Sequence, residues 1–181
     1  MKRSTQQLVF AALCLAGGIV LPFVTGQIPF VGNLLLPMHI PVFVCAFCST
    51  RTYSTAVGFI LPLLRSALFS VPTFFPNAVA MAVELAVYAL VASCIFKALN
   101  RRTVAVVYIS MLPAMLIGRV AWGVSRWLMM GFSSEPFTLP YFAAEAFVNA
   151  LPGIVLQLIV VPILVMLIIG DTHSKKSNKK V

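Results

Sequence analysis

Five charged side chains sit inside otherwise apolar stretches of this chain: Arg65, Glu84, Arg119, Arg126 and Glu145. Each costs about 2.5–3.5 kcal/mol at the middle of a bilayer on insertion scales, and such groups persist where they pair or serve a ligand. Their neighbours recur at helical spacing. Asn77, Met81, Glu84 and Tyr88 follow steps of 4, 3 and 4; Arg119, Trp122 and Arg126 follow steps of 3 and 4; Tyr141, Glu145 and Asn149 follow steps of 4. Each set therefore shares one helix face. Three polar and aromatic faces of this kind predict a central pocket. Structural pairing alone, for example Arg65 with Glu84 and Arg119 with Glu145, accounts for most of the charge. Three arginines against two glutamates leave one positive charge over. A spare guanidinium suits an anion, because its planar fork binds a carboxylate through two hydrogen bonds. Met81 and Trp122 would cover the hydrocarbon part of such a ligand.

Other chemistries find little support. Cys14, Cys45, Cys48 and Cys94 each lie in an apolar run. Cys45 and Cys48 have the spacing of a redox or zinc pair, but there is no second pair and His39 stands alone beside them. They read as small apolar helix residues. The chain has no G-x-x-x-x-G-K-[ST] loop for ATP, no metal-ligand cluster and no Ser/His/Asp set. No catalytic residue, metal or cofactor is expected. A ligand pocket with no energy source implies partner subunits.

Such charges need elements that hold them in a membrane. Of the 181 residues, 61% are hydrophobic and only 9% charged, whereas soluble domains carry about 25% charged residues. So few charges cannot cover a water-facing surface. A spanning helix needs about 20 mostly apolar residues. Candidate spans run over residues 8–24, 37–49, 54–69, 77–96, 104–131 and 141–169. The second and third are short and flank Arg51 as a tight helical pair. The start, Lys2-Arg3 before an apolar run, has the shape of a signal peptide; with no small-x-small site before Gln27 it reads as a retained span. The expected fold is an all-α bundle of six transmembrane helices in one domain, residues 1–170. A basic and disordered tail, 171–181, follows.

Orientation follows from the basic residues, which gather on the cytoplasmic side. With the N-terminus inside, the inner segments hold Lys2, Arg3, Arg51, Lys97, Arg101, Arg102, Lys175, Lys176, Lys179 and Lys180. The outer connections, 27–36, 71–75 and 132–140, hold no Lys or Arg. Both termini are thus expected in the cytoplasm, and the membrane charges in the outer half. The net charge of +9 then needs no nucleic acid; anionic lipid suffices for the lysine tail. The connection 27–36, with Pro29 and Gly32, is placed to close over the pocket mouth.

Three stretches also carry a likeness. They are Leu36-Pro37-Met38-His39-Ile40-Pro41-Val42, then Gly58-Phe59-Ile60-Leu61-Pro62-Leu63-Leu64-Arg65-Ser66, then Phe75-Pro76-Asn77-Ala78-Val79-Ala80-Met81-Ala82-Val83-Glu84-Leu85-Ala86. Together with length and span number, they resemble the substrate-binding S component of energy-coupling factor (ECF) vitamin transporters. The resemblance is strongest over residues 36–97. It implies capture of a vitamin from outside, then docking on a transmembrane coupling subunit driven by two ATPase subunits. It also implies docking through small residues of the first span, where Ala12 and Ala16 fit an Ala-x-x-x-Ala pattern. The turn Ser49-Thr50-Arg51-Thr52-Tyr53-Ser54 departs from the glycine-containing turn common in that family. Pantothenate is the first expectation, since it carries a carboxylate. Riboflavin or another vitamin or precursor is the alternative substrate, and a structural membrane scaffold subunit is the alternative class. A scaffold does not need the outer-half charges.

Overall fold

The computed structural model describes residues 3–24, 36–129 and 138–177. Among them the chain forms helices α1 (Arg3–Val24), α2 (His39–Cys48), α3 (Arg51–Phe69), α4 (Val79–Leu99), α5 (Val104–Met129), α6 (Leu139–Ala143) and α7 (Leu151–Ser177), with no strand. Five helices are long and apolar enough to cross a membrane, α2 is a shorter apolar helix of ten residues, and α6 has only five. The fold is the expected all-α bundle.

The ten residues of α2 rise only about 15 Å, half the roughly 30 Å of a bilayer's hydrocarbon. Every residue from His39 to Phe47 is buried. A helix apolar all round belongs in a core, and α1, α3, α4 and α7 all pack against this one. Phe43 lies 5.2 Å from the Tyr88 ring and 6.3 Å from Phe47, which meets Phe96 edge-on at 4.9 Å. The opposite surface is equally apolar. Leu13, Val20, Leu116, Val120 and Leu167 are exposed, as lipid-facing side chains should be.

Helix α4 lies between α3 and α5, and these are the most extensive helix pairs of the bundle. Two glycines make the approach possible. A Cβ on Gly58 of α3 would run into the Leu85 carbonyl group, and one on Gly118 of α5 into the Tyr88 ring. Both contacts fall on the one-turn stretch of α4 that starts at Glu84. The sequence thus seats α4 most tightly where its acid sits.

Two elements depart from the sequence-based expectation. The fourth span begins not as a plain helix at Asn77 but through an irregular turn, Phe74–Ala78, in which Phe75 is extended at φ −118° and ψ 135°. Pro76 causes this, because the residue before a proline is pushed out of the helical region. The last span was expected as one helix over 141–169. Instead α6 passes into a wide turn, Ala144–Val148, then Asn149 and Ala150 turn, and α7 starts at Leu151. Pro152 has no N–H to donate and fits the first turn of a helix, not its interior. Helix α7 continues to Ser177, past the expected start of a disordered tail at 171. Backbone hydrogen bonds do not require apolar side chains, and lysines near a helix C-terminus suit its dipole.

The bundle has two unlike ends. The C-termini of α2 and α4 and the N-termini of α3 and α5 bring Arg51, Lys97, Arg101 and Arg102 together at one end. There the Lys97 ammonium donates to the Ser49 carbonyl oxygen at 2.8 Å, satisfying a carbonyl that the end of α2 leaves open. The other end holds the membrane acids and arginines. Of the connections expected there, residues 25–35 and 130–137 lie outside the described residues, and so does the expected cover over 27–36 except for Leu36.

Candidate functional site

At the acid-bearing end a cavity of about 420 Å³ opens between α4, α5 and the α6–α7 break. Asn77, Met81, Glu84, Arg119, Trp122 and Glu145 line it, six of the residues expected in a pocket. Leu36, Ala150 and residues 70–73 complete the wall. Trp122 stacks on Phe142 of α6 with ring centres 6.1 Å apart. The Phe142 ring also fills the space where Gly123 lacks a side chain. This packing holds the short α6 against α5 and so brings Glu145 to the cavity.

The centre of the site is a buried charge cluster. Arg119 Nη1 lies 3.0 Å from Glu84 Oε1, and His39 Nε2 lies 3.8 Å from the same oxygen. His39 also meets the Tyr88 ring edge-on at 5.6 Å. Glu84 is 1% and Arg119 6% exposed, so both charges have lost water and depend on each other. The contact is close but not aligned as a hydrogen bond. Glu84 Oε1, both ring nitrogens of His39, and Nε and Nη2 of Arg119 have no hydrogen-bond partner. Buried polar atoms are nearly always bonded. Three of these five atoms belong to Glu84 and Arg119 on the cavity wall, and the other two to His39 behind it.

The pairing differs from the example read in the sequence. Glu84 takes Arg119, not Arg65. The reason is geometric: α4 and α5 are adjacent antiparallel helices, and Gly118 lets them close at this height. Glu145 faces the same cavity as Arg119 but forms no ion pair among the described residues.

The remaining expected residues stand behind or away from the wall. Arg126 Nη1 donates to Asn77 Oδ1 at 3.0 Å, and Asn77 Nδ2 donates to Thr73 Oγ1 at 2.8 Å. Arg126 therefore orients a wall residue without lining the cavity. Asn149 is exposed and donates to Glu145 Oε1 at 2.8 Å. Arg65 is buried, does not line the cavity and makes no ion pair among the described residues. The Tyr141 side chain lies outside the described ones. Ala12 and Ala16 are exposed on α1 and share a face at the i, i+4 step.

Sequence reasoning passed over His39, Thr73 and Phe142. His39 did carry a signal, since it is the one ionisable group other than cysteine in a helix that is otherwise apolar. Cys45, beside it in α2, is fully buried in the core, and all four cysteines are free.

The family described as "ECF transporter, substrate-specific component" matches residues 6–169. No curated protein and no solved structure matches the chain. The family match takes in the described helices from α1 into α7 and every residue of the cavity wall, and the chain belongs to the substrate-specific components of ECF transporters.

Proposed function

We propose that this protein captures a small anionic vitamin-like substrate, pantothenate first among candidates, and hands it to an ATP-driven ECF module for uptake. The supporting observation is Arg119. One of its nitrogens faces Glu84, while Nε and Nη2 are buried without partners on the wall of a cavity. Those two N–H groups form the side-on fork that takes a carboxylate through parallel bonds. The volume of about 420 Å³ falls within the roughly 300–1,000 Å³ of small-molecule sites. Met81 and Trp122 supply apolar cover, and Asn77 and Glu145 supply polar contacts for hydroxyl or amide groups. Arg65, Arg126, Tyr141 and Asn149 serve as outer supports in this reading. Calorimetric titration of the purified protein tests it, with pantothenate, riboflavin and the uncharged alcohol analogue of pantothenate as ligands. The carboxylate is expected to bind about 10- to 150-fold more tightly than its alcohol, the worth of one charge-assisted bond. Equal affinity for the alcohol would remove the anion argument. Preference for riboflavin would give the alternative substrate.

The protein works as a multi-pass component of the cell membrane with both termini in the cytoplasm, by the separation of basic residues given above. The cavity then opens outward. A single cysteine at Ser134 in a Cys-less background is expected to react with an impermeant maleimide added outside; reaction from the cytoplasmic side alone would invert the topology. The coupling subunit docks on α1 at Ala12 and Ala16, where lack of bulk permits close helix approach. Ala16→Trp is expected to leave ligand affinity unchanged, yet to abolish uptake and co-purification with the coupling subunit and its two ATPases. Normal uptake by that variant would move the docking face elsewhere.

A further inference from the structure

A second cavity lies at the opposite, basic end. It is a half-open cleft of about 620 Å³ between α1, α2, α4 and α7. Its inner wall is apolar, with Phe10, Phe47 and Phe96, and its rim carries Lys97, Arg101 and Arg102. Nothing in the substrate reading uses it.

The charges there are unusual in having so little to answer them. The whole chain has four acids, Glu84, Glu135, Glu145 and Asp171. Glu84 and Glu145 line the far cavity, and Glu135 lies outside the described residues. Among the acids of the described residues Asp171 alone is left for this end, against Arg51, Lys97, Arg101, Arg102 and the lysines beyond residue 174. None of Lys97, Arg101 and Arg102 forms an ion pair among the described residues. Lys97 is held in place by its bond to the Ser49 carbonyl at 2.8 Å, so at least one cation is fixed at the rim and not loosely solvated. The positive-inside tendency explains why bases gather at this end. It does not explain an apolar-walled cleft beneath them.

An anionic phospholipid fits both halves. Its phosphate would meet the three cations, and the upper part of an acyl chain would lie along the phenylalanine wall. The cleft stands at the ends of membrane-spanning helices, which is headgroup level, and basic pockets between such helices are where anionic headgroups bind. We propose that this cleft is a specific site for one anionic phospholipid, distinct from any general attraction of the lysine tail.

Native mass spectrometry of the full-length protein tests this, in mild detergent with phosphatidylglycerol or phosphatidylcholine of matched chains. Wild type is expected to retain one phosphatidylglycerol, preferred over phosphatidylcholine by about tenfold or more, from roughly one contribution per basic residue. Arg101→Gln/Arg102→Gln should erase most of that preference. Both side chains are exposed, so folding is expected to survive, and an unchanged melting temperature confirms it. Lys175→Gln/Lys176→Gln removes as much charge from the tail and should leave the preference intact. Equal retention of the two lipids would overturn the proposal. So would preference that persists in the Arg101/Arg102 variant or disappears in the tail variant. Inorganic phosphate is the last arm: if millimolar phosphate raises the melting temperature as much as phosphatidylglycerol does, the site takes a free anion and the lipid assignment fails.

Discussion

Arg119→Gln is expected to cost this protein both its stability and its ligand. The substitution leaves Glu84, 1% exposed, without the cation 3.0 Å away. Removing one partner of a buried ion pair costs about 3–5 kcal/mol, mostly because the other charge is stranded. Binding should weaken by about 10- to 150-fold as the carboxylate loses its fork. The two losses can be separated. In Glu84→Gln/Arg119→Gln both charges are gone, and replacing a whole buried pair is often close to neutral. The double variant should therefore melt near wild type and still fail to bind. Thermal unfolding in detergent and calorimetric titration of both variants read the two effects apart. A double variant that binds the carboxylate at wild-type affinity would show that Arg119 does not anchor the ligand. A single variant that melts with wild type would show that the pair is not a buried dependency.

Gly58→Val should separate α3 from α4 and lose the site without touching it. The added Cβ would collide with the Leu85 carbonyl oxygen and stand 2.7 Å from its carbonyl carbon, where ordinary contact begins at 3.4 Å. A flexible side chain could swing aside; a helix backbone cannot. Overpacking usually costs about 1–3 kcal/mol, and rigid obstruction with two further methyl groups places this case at the top of that range or above it. Leu85 follows Glu84 directly, so any shift of α4 there also moves Glu84 relative to Arg119 and His39. Ligand affinity should fall along with the melting temperature. Gly170→Ala is the control. A Cβ at Gly170 meets nothing within 4 Å, and alanine improves a helix interior by about 0.8–1.0 kcal/mol over glycine. If Gly58→Val melts and binds as wild type does, the close approach of the two helices is not needed for the site.

Much of this protein was written locally. Long apolar runs gave the spanning helices, because lipid obliges each run to satisfy its own backbone hydrogen bonds as a helix. Charges were so few that each one inside a run stood out, and six of the residues picked from helical spacing share one cavity. The breaks at Phe75 and Asn149 also had local causes, in Pro76 and Pro152, although apolar composition masked the second.

What no window of sequence contains is which helix stands beside which. Hydrophobicity distinguishes lipid from water but not one apolar neighbour from another, so it could not choose Arg119 over Arg65 as the partner of Glu84. That choice came from Gly58 and Gly118, two residues with no chemistry of their own, which let α3 and α5 close on α4 at one height. It came also from α2, ten residues enclosed by four neighbouring helices, which carries His39 to the same carboxylate. The sequence by itself determined that a membrane bundle with polar groups toward one end must form. Only the tertiary structure decided that Glu84 pairs with Arg119 on the cavity wall, because pairing is set by distances between helices, and those are fixed by packing.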